Sequence, residues 1–355
     1  MRWDVYCRVI DNLGDAGVCW RLAADLASRG EFVRLVIDDA PTLARIAPAG
    51  ASRVEVVPWR DDLVLDHGID VVVEAFGCDP PQGVIGQMAR RTPPPVWINL
   101  EYLSAEPYAA RSHRLPSPQL QGPGRGLTKW FFHPGFTPDS GGLLREPGLL
   151  DAQAAFERDP WLQALGTPRA KEEQVSVLFS YAHPGIAAWL SALAARPTLL
   201  LVPQGPAQAL VRGALGAGLR TGCLRAVLLD WMAQPQFDRL LWSADFSVVR
   251  GEDSLVRALW AGAPFVWQLY PQPEGVHRHK LQAFLERWQA DARVAPPSGV
   301  AECFAWWNGD PGRAAAVPRW PDDGAWRDAV HSWREQLARQ DDLSTRLIEF
   351  AAGKR

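Results

Sequence analysis

The chain has 355 residues, 47% hydrophobic and 22% charged, with a formal net charge of −3. That length exceeds one ordinary core and points to two domains. The near-neutral balance without a basic tract excludes sequence-independent nucleic-acid binding but is compatible with a folded, basic protein partner.

The N-terminus, MRWDVYCRVI, enters a strand pattern at once and lacks the apolar core of a signal peptide. No apolar run reaches membrane-spanning length, so the expectation is a soluble, cytoplasmic protein without a membrane partner. Strand patterns follow at Val5–Ile10, Phe32–Ile37, Val54–Val57, Val71–Ala75 and Val96–Leu100, with helical patterns at Gly17–Arg29, Pro41–Ile46 and Gln82–Arg91. Alternating strands and helices imply a parallel sheet. A looser stretch rich in Pro and Gly, Pro107–Gly148, carries one aromatic segment, Lys129–Phe136. Polar Pro168–Glu173 reads as a linker. The alternation then restarts, with strands at Val175–Phe179, Thr198–Val202, Ala226–Leu229, Phe246–Val249 and Pro264–Trp267, and helices at Ile186–Ala195, Ala207–Leu215, Phe237–Trp242 and Ser254–Ala261. The tail, Ala325–Phe350, reads as a helix broken near Asp341-Asp342. The fold class is therefore α/β: two facing Rossmann-like domains, residues 1–170 and 171–340, with an inter-domain cleft and a closing C-terminal helix over 341–355 that completes the first domain. The 17 tryptophans are expected to fill cores. Five scattered cysteines, Cys7, Cys19, Cys78, Cys223 and Cys303, form no C-x-x-C pair, which argues against a disulfide framework and a structural zinc site.

Ligands of open parallel sheets bind beyond the carboxyl ends of the strands. The loops after strands are therefore where chemistry is sought. The first, Asp11-Asn12-Leu13-Gly14-Asp15-Ala16-Gly17, lacks the spacing of a dinucleotide fingerprint but sets two carboxylates in a glycine loop. Asp11 and Asp15 either serve a substrate there or stabilise the turn and cap the helix; Gly14 and Gly17 permit close approach of a ligand. Phe246–Trp267 reads as strand, Arg250-Gly251 turn, capped helix, glycine stop and strand. A helix start beside a glycine turn suits a phosphate. Asp253 or Ser254 is expected to cap that helix, Arg250 to neutralise phosphate or pair on the surface, and Glu252 to face the strand ends, meeting sugar hydroxyls or a cation. Phe179 and Tyr181 alternate on a strand end, where they stack on a base, bind phosphate or fill the core. Gln234 and Phe237 suit the edge and face of a pyrimidine. His277 and His279 lack carboxylate company and read as surface or packing residues, and a Walker motif is absent.

Several strings resemble the EarP family of elongation factor P arginine rhamnosyltransferases: Asp11-Asn12-x-Gly14-Asp15-x-Gly17-Val18-x-Trp20-Arg21-Leu22-Ala23, Asn99–Glu106, Phe131–Phe136, Gly141–Glu146, Arg250–Ser254, Trp260-Ala261-Gly262 and Tyr270-Pro271-Gln272. The similarity runs over nearly the full chain. It implies a GT-B glycosyltransferase in which dTDP-β-L-rhamnose is the donor and an arginine of elongation factor P the acceptor. Transfer would invert the anomeric centre, without a metal or other cofactor. The resemblance puts the functional carboxylates on Asp11, Asp15 and Glu252. It puts donor contacts on Gly14, Phe179, Tyr181, Gln234, Phe237, Arg250, Asp253 and Ser254, while His183 and Gln204 depart from the family pattern. The first domain would take the protein acceptor, with carboxylates in Glu101–Glu106 as candidate contacts, and the second the nucleotide-sugar. Asp15 is assigned as base, Asp11 as the partner of the guanidinium and Glu252 as the group that positions sugar or guanidinium. The alternatives are another GT-B glycosyltransferase and a non-catalytic module that binds a nucleotide-sugar or elongation factor P.

Overall fold

A computed structural model describes residues 1–10, 12–272, 275, 277–309, 316–320 and 323–355. The chain forms two compact units, Met1–Pro147 with Leu337–Arg355, and Gly148–Gln336.

Unit 1 opens with β1 (Arg2–Cys7), α1 (Asn12–Ser28), β2 (Phe32–Ile37), α2 (Ala40–Ile46), β3 (Val54–Pro58), β4 (Val71–Ala75), α3 (Gln82–Ala89) and β5 (Val96–Leu100). The stretch expected to be loose contains α4 (Pro107–Ser112), β6 (Pro116–Pro118) and β7 (Thr128–Phe132). The seven strands take the order β3-β2-β1-β4-β5-β7-β6, all parallel except the β6–β7 pair. β1, β4 and β5 are buried almost throughout, as strands covered on both faces must be. One core joins β1 and α1 to the C-terminal helix through Val5, Cys19, Leu26, Leu347 and Phe350; a second, on the other face, is built on Tyr6, Val72, Met88 and Trp97.

Unit 2 begins earlier than the linker pattern implied. After α5 (Leu149–Ala154) and α6 (Arg158–Ala164) come β8 (Gln174–Leu178), α7 (Ile186–Leu193), β9 (Thr198–Val202), α8 (Pro206–Leu215), β10 (Arg220–Thr221), β11 (Leu224–Leu228), α9 (Gln234–Trp242), β12 (Phe246–Arg250), α10 (Gly251–Ala261) and β13 (Phe265–Gln268). α11 (His277–Asp291), α12 (Val300–Trp307) and α13 (Asp323–Ala338) follow. Its sheet runs β10-β11-β9-β8-β12-β13, parallel except β10–β11. Residues 148–170, assigned by sequence to the first domain, belong here because Gln153 donates to the Ala261 carbonyl (3.2 Å) and Arg158 pairs with Asp245 (2.8 Å). Pro168–Glu173 is no linker: Arg169 holds Asp159 (2.6 Å) and Glu173 holds Arg225 (2.6 Å) within the unit. Trp189, Trp260, Trp288, Trp307, Trp326 and Trp333 are fully buried core, with Trp288 stacked on Trp333 at 5.6 Å.

The expected helix break is real. α13 ends at Ala338 and α14 (Leu343–Ala352) starts under the Asp342 cap, whose carboxylate accepts from the Thr345 amide at 2.9 Å. Three arginines dock this tail on unit 1. Arg29 at the end of α1 pairs with Asp342 (2.9 Å). Arg145 donates to the carbonyls of Ala338 (2.6 Å) and Gln340 (3.0 Å). Arg346 donates to Pro138 (2.7 Å) and Asp341 (3.0 Å). The return to unit 1 thus begins at Leu337, four residues before the expected 341. Among the described residues no helix is long and apolar enough to cross a membrane.

His113, at the end of α4, accepts the His133 amide through Nδ1 (3.2 Å) and meets the Phe132 ring edge-on at 4.5 Å. Burial, reinforced by the Arg114 charge, pushes its pKa down to about 3. Between about 3 and the ordinary value of 6.5 the unfolded chain holds a proton here that the folded chain does not, so this ring makes stability fall as pH drops through that window. His113→Asn, which keeps an acceptor but cannot protonate, should show a shallower fall in melting temperature between pH 7 and pH 4 than the parent chain.

Candidate functional site

In each unit the strand order reverses beside the first strand, at β1–β4 in one sheet and β8–β12 in the other. Such reversals are where open α/β sheets leave a crevice for ligands. The candidate residues collect at these two points, and each group is described within its own unit.

In unit 1, α1 starts at Asn12, so Gly14 and Asp15 lie in its first turn rather than in an open loop. Asp15 is 2% exposed. Its side chain turns back and accepts the Ile10 amide (2.8 Å) on Oδ2, which ties the loop after β1 to the helix, and accepts the Tyr102 hydroxyl (3.3 Å) on Oδ1. A negative charge in the first turn also suits the helix dipole. Tyr102 follows β5 and stacks on Phe76, which follows β4, with ring centroids 4.2 Å apart and planes within 9°. Beside it, burial raises the Glu101 carboxyl above the ordinary range while the Asn99 amide, donating at 2.8 Å, opposes the shift. Asp11 lies outside the described residues. Gly14, counted by sequence with the donor contacts, is in unit 1, whereas every other residue of that set is in unit 2.

In unit 2 the set is brought together. β12 ends at Arg250, and Gly251, at φ +73°, turns the chain directly into α10. That turn needs the left-handed conformation glycine adopts without strain. Neither Asp253 nor Ser254 caps the helix as expected. Arg250 occupies the cap position without a side-chain cap hydrogen bond, because the turn starts the helix early enough to put Glu252 and Asp253 inside its first turn. The dipole end of α10 therefore sits at the strand end, as an anion seat requires. The Arg250 guanidinium lies over the rings of both Phe179 (4.8 Å) and Tyr181 (4.7 Å). Phe179 in turn meets Phe237 edge-on at 5.1 Å, and Gln234 opens the same helix, α9, one turn earlier. Tyr181 is held by its amide donating to Gln268 (2.8 Å) and by a T-shaped contact with Tyr270 (5.4 Å).

Several residues of these clusters were not found by pattern. Glu252 does not simply face the strand ends: it forms an ion pair with Lys280 of α11. Lys280 is 28 positions away in a helix without a motif, so no local signal marks it. Asp238 of α9 and Arg257 of α10 form a buried bidentate pair at 2.9 and 2.8 Å, which fixes the two helices that carry Gln234, Phe237 and Arg250–Ser254 against each other. Tyr102 lies inside the Asn99–Glu106 string, where the sequence pattern marks only the neighbouring carboxylates. His183 is structural. Its Nδ1 accepts the Gly185 amide (3.1 Å), so Nε2 carries the proton and donates to the Trp306 carbonyl (3.0 Å), and burial keeps the ring below the usual histidine range. His277 accepts the Gln272 amide at 3.2 Å. Among the described residues no group of three or more His, Cys, Asp or Glu is arranged to hold a metal ion.

A family model described as Elongation-Factor P (EF-P) rhamnosyltransferase EarP matches residues 3–352. The protein-arginine rhamnosyltransferase of Pseudomonas aeruginosa is 40% identical over 377 residues, covering 99% of this chain and 98% of that one. The enzyme of the same name from Neisseria meningitidis serogroup B is 34% identical, covering 98% and 96%. A solved structure described as the structural basis for EarP-mediated arginine glycosylation of translation elongation factor EF-P superposes with a TM-score of 0.66 at 30% identity, covering 100% and 99%. MurG of Acinetobacter baumannii, at a TM-score of 0.53 and 13% identity over 99% of each chain, shares the fold alone. The architecture is that of the GT-B glycosyltransferases, as expected.

Asp238→Ala would leave Arg257 charged and buried without its bidentate partner. Breaking such a pair costs about 3–5 kcal/mol, so the urea midpoint of unit 2, followed by tryptophan fluorescence, should drop clearly, and more than for Asp238→Ala combined with Arg257→Met.

Proposed function

This chain belongs to the EarP family of elongation factor P rhamnosyltransferases and is a glycosyltransferase, and we propose that it moves rhamnose from dTDP-β-L-rhamnose to an arginine side chain of translation elongation factor P. The donor half of this reading is supported by the seat at the β8–β12 reversal. A nucleoside diphosphate needs a flat apolar surface for its base and positive charge for its phosphates. Phe179 and Phe237 supply the first, with Gln234 available to a pyrimidine edge. Arg250 and the start of α10 supply the second, joined by the Ser254 hydroxyl and the amides around Asp253.

The acceptor half is supported by Asp15. A guanidinium stays protonated in proteins and is a poor nucleophile. It must be held by a carboxylate and surrender a proton as its nitrogen bonds to the anomeric carbon. In this reading Asp15 takes that proton and Asp11 holds the guanidinium. As the C–N bond forms, the bond from the anomeric carbon to the phosphate oxygen breaks, and its electron pair leaves with dTDP. Attack opposite the leaving group inverts the configuration. Arg250 and the α10 dipole balance the charge that grows on the departing diphosphate. Glu252 orients the sugar or the guanidinium. A bare carboxylate beside a diphosphate would be repelled, and the Lys280 ammonium cancels that charge.

The single observation that carries the reading is the Arg250 guanidinium stacked on Phe179 and Tyr181 at the start of α10. Purified elongation factor P incubated with the chain and dTDP-β-L-rhamnose should gain the mass of one deoxyhexose in intact-mass spectra, and an Arg→Lys acceptor should not. No gain would sink the proposal. UDP, ADP and GDP should compete with the donor more weakly than dTDP. General-base help is worth roughly 10²–10⁴-fold, so Asp15→Asn should lower kcat by about that factor in single-turnover assays while leaving dTDP affinity unchanged.

A further inference from the structure

We propose that Tyr102 is a gate on Asp15: its phenol occupies the carboxylate oxygen that an acceptor guanidinium takes, so that every acceptor must displace it to reach the carboxylate. The inference rests on the reading of Asp15 as the carboxylate that receives the acceptor.

Asp15 must meet a side chain of another protein, yet it is only 2% exposed. Part of its cover therefore has to move before the acceptor arrives. The Ile10 and Tyr102 hydrogen bonds to its carboxylate differ in kind. The Ile10 amide donates at 2.8 Å and is part of the main chain. The Tyr102 hydroxyl donates at 3.3 Å, longer than the usual O–H···O bond of about 2.5–3.0 Å, and comes from a residue that is 37% exposed. The longer of the two is thus the one from a residue that reaches solvent. An arginine N–H and a phenol O–H compete for the same oxygen. The charge-assisted bond is the stronger, so the guanidinium wins once it is delivered.

The ring is not left to wander. It lies flat on Phe76, and Phe76 holds φ +58°, a conformation that side chains larger than glycine seldom adopt. The Phe76 amide is anchored on the Leu100 carbonyl at 2.7 Å, which ties this turn to β5 just before Tyr102. Strained residues of this kind concentrate at functional sites and switches. A platform built from an unfavourable backbone conformation, directly under a ring that covers a buried carboxylate, is what a defined resting position for that ring requires.

The displacement costs every acceptor the same free energy, and a folded acceptor offsets it with binding contacts remote from the reacting group. Tyr102→Phe keeps the stack and removes the hydroxyl. Since one neutral hydrogen bond corresponds to roughly a 2- to 10-fold change in an equilibrium constant, the variant should lower KM for a short peptide carrying the acceptor arginine by about that factor. KM for intact elongation factor P should fall by a comparable factor, while kcat on the protein stays within twofold and the melting temperature within a few degrees of the parent. Tyr102→Ala, which removes the ring as well as the hydroxyl, should lower both KM values at least as far as Tyr102→Phe. An unchanged peptide KM, or a parallel loss on peptide and protein, would overturn the gate. Asp15→Asn measured alongside separates the two levels: full turnover by that variant would remove the reading of Asp15 itself, whereas its inactivity together with an unaltered Tyr102→Phe would remove only the gate.

Discussion

Both candidate clusters exist because crossovers between parallel strands are right-handed, so a sheet that grows from a central strand must reverse its direction once. In unit 1 the chain winds from β1 to β2 and β3, then returns to the other side of β1 to lay down β4 and β5. In unit 2 it winds from β8 to β9 and β11, then returns to β12 and β13. At such a return the connections leave the strand ends toward opposite faces of the sheet, which opens a crevice there. Ile10, Asp15 and Phe76 stand at the first gap, and Phe179, Tyr181 and Arg250 at the second. Their sequence separations, up to about 70 residues, have no meaning except through this winding.

The two gaps are furnished with opposite chemistry. The first holds carboxylates, with Asp15 engaged by a main-chain amide and a phenol and Glu101 raised by burial. The second holds a helix dipole, a guanidinium and aromatic faces. Glu252 is the exception in the second, and Lys280 restores the local balance. The buried Asp238–Arg257 pair follows a different logic. Its charges are mutually satisfied and turned inward, where they fix the angle between α9 and α10 instead of meeting a ligand. A partly exposed guanidinium on two aromatic rings and a buried guanidinium locked in a bidentate pair are therefore different devices, although both are arginines seven positions apart.

The strings shared with the family divide along the same line. Arg250–Ser254 and Asn99–Glu106 border the gaps. Gly141–Glu146 instead builds the seat for the C-terminal helix. A side chain on Gly142, at φ +78°, would stand 2.7 Å from the Asp341 carbonyl, and Arg145 grips the end of α13 through the Ala338 carbonyl. Arg21 within the first string is buried against Glu146 at 3.4 Å. These residues hold the return of the chain to unit 1 in place, a demand of packing and not of catalysis.

Sequence alone determined the alternation of strands and helices, the two-sheet plan, the broken C-terminal helix and the strand–glycine turn–helix unit at Arg250–Ser254. Each of these is written in local periodicity, in glycine turns or in a short string, and local physics suffices to form it. The boundary at Pro147, the start of α1 at Asn12, the absence of a side-chain cap on α10, the Lys280–Glu252 pair and the Phe76–Tyr102 cover on Asp15 were decided only by tertiary structure. Helix starts shift when a distant carboxylate or a left-handed glycine satisfies their amides, and partners tens of residues apart in sequence meet only after the sheet has reversed. Such contacts depend on where the winding returns, and no window along the chain contains that information.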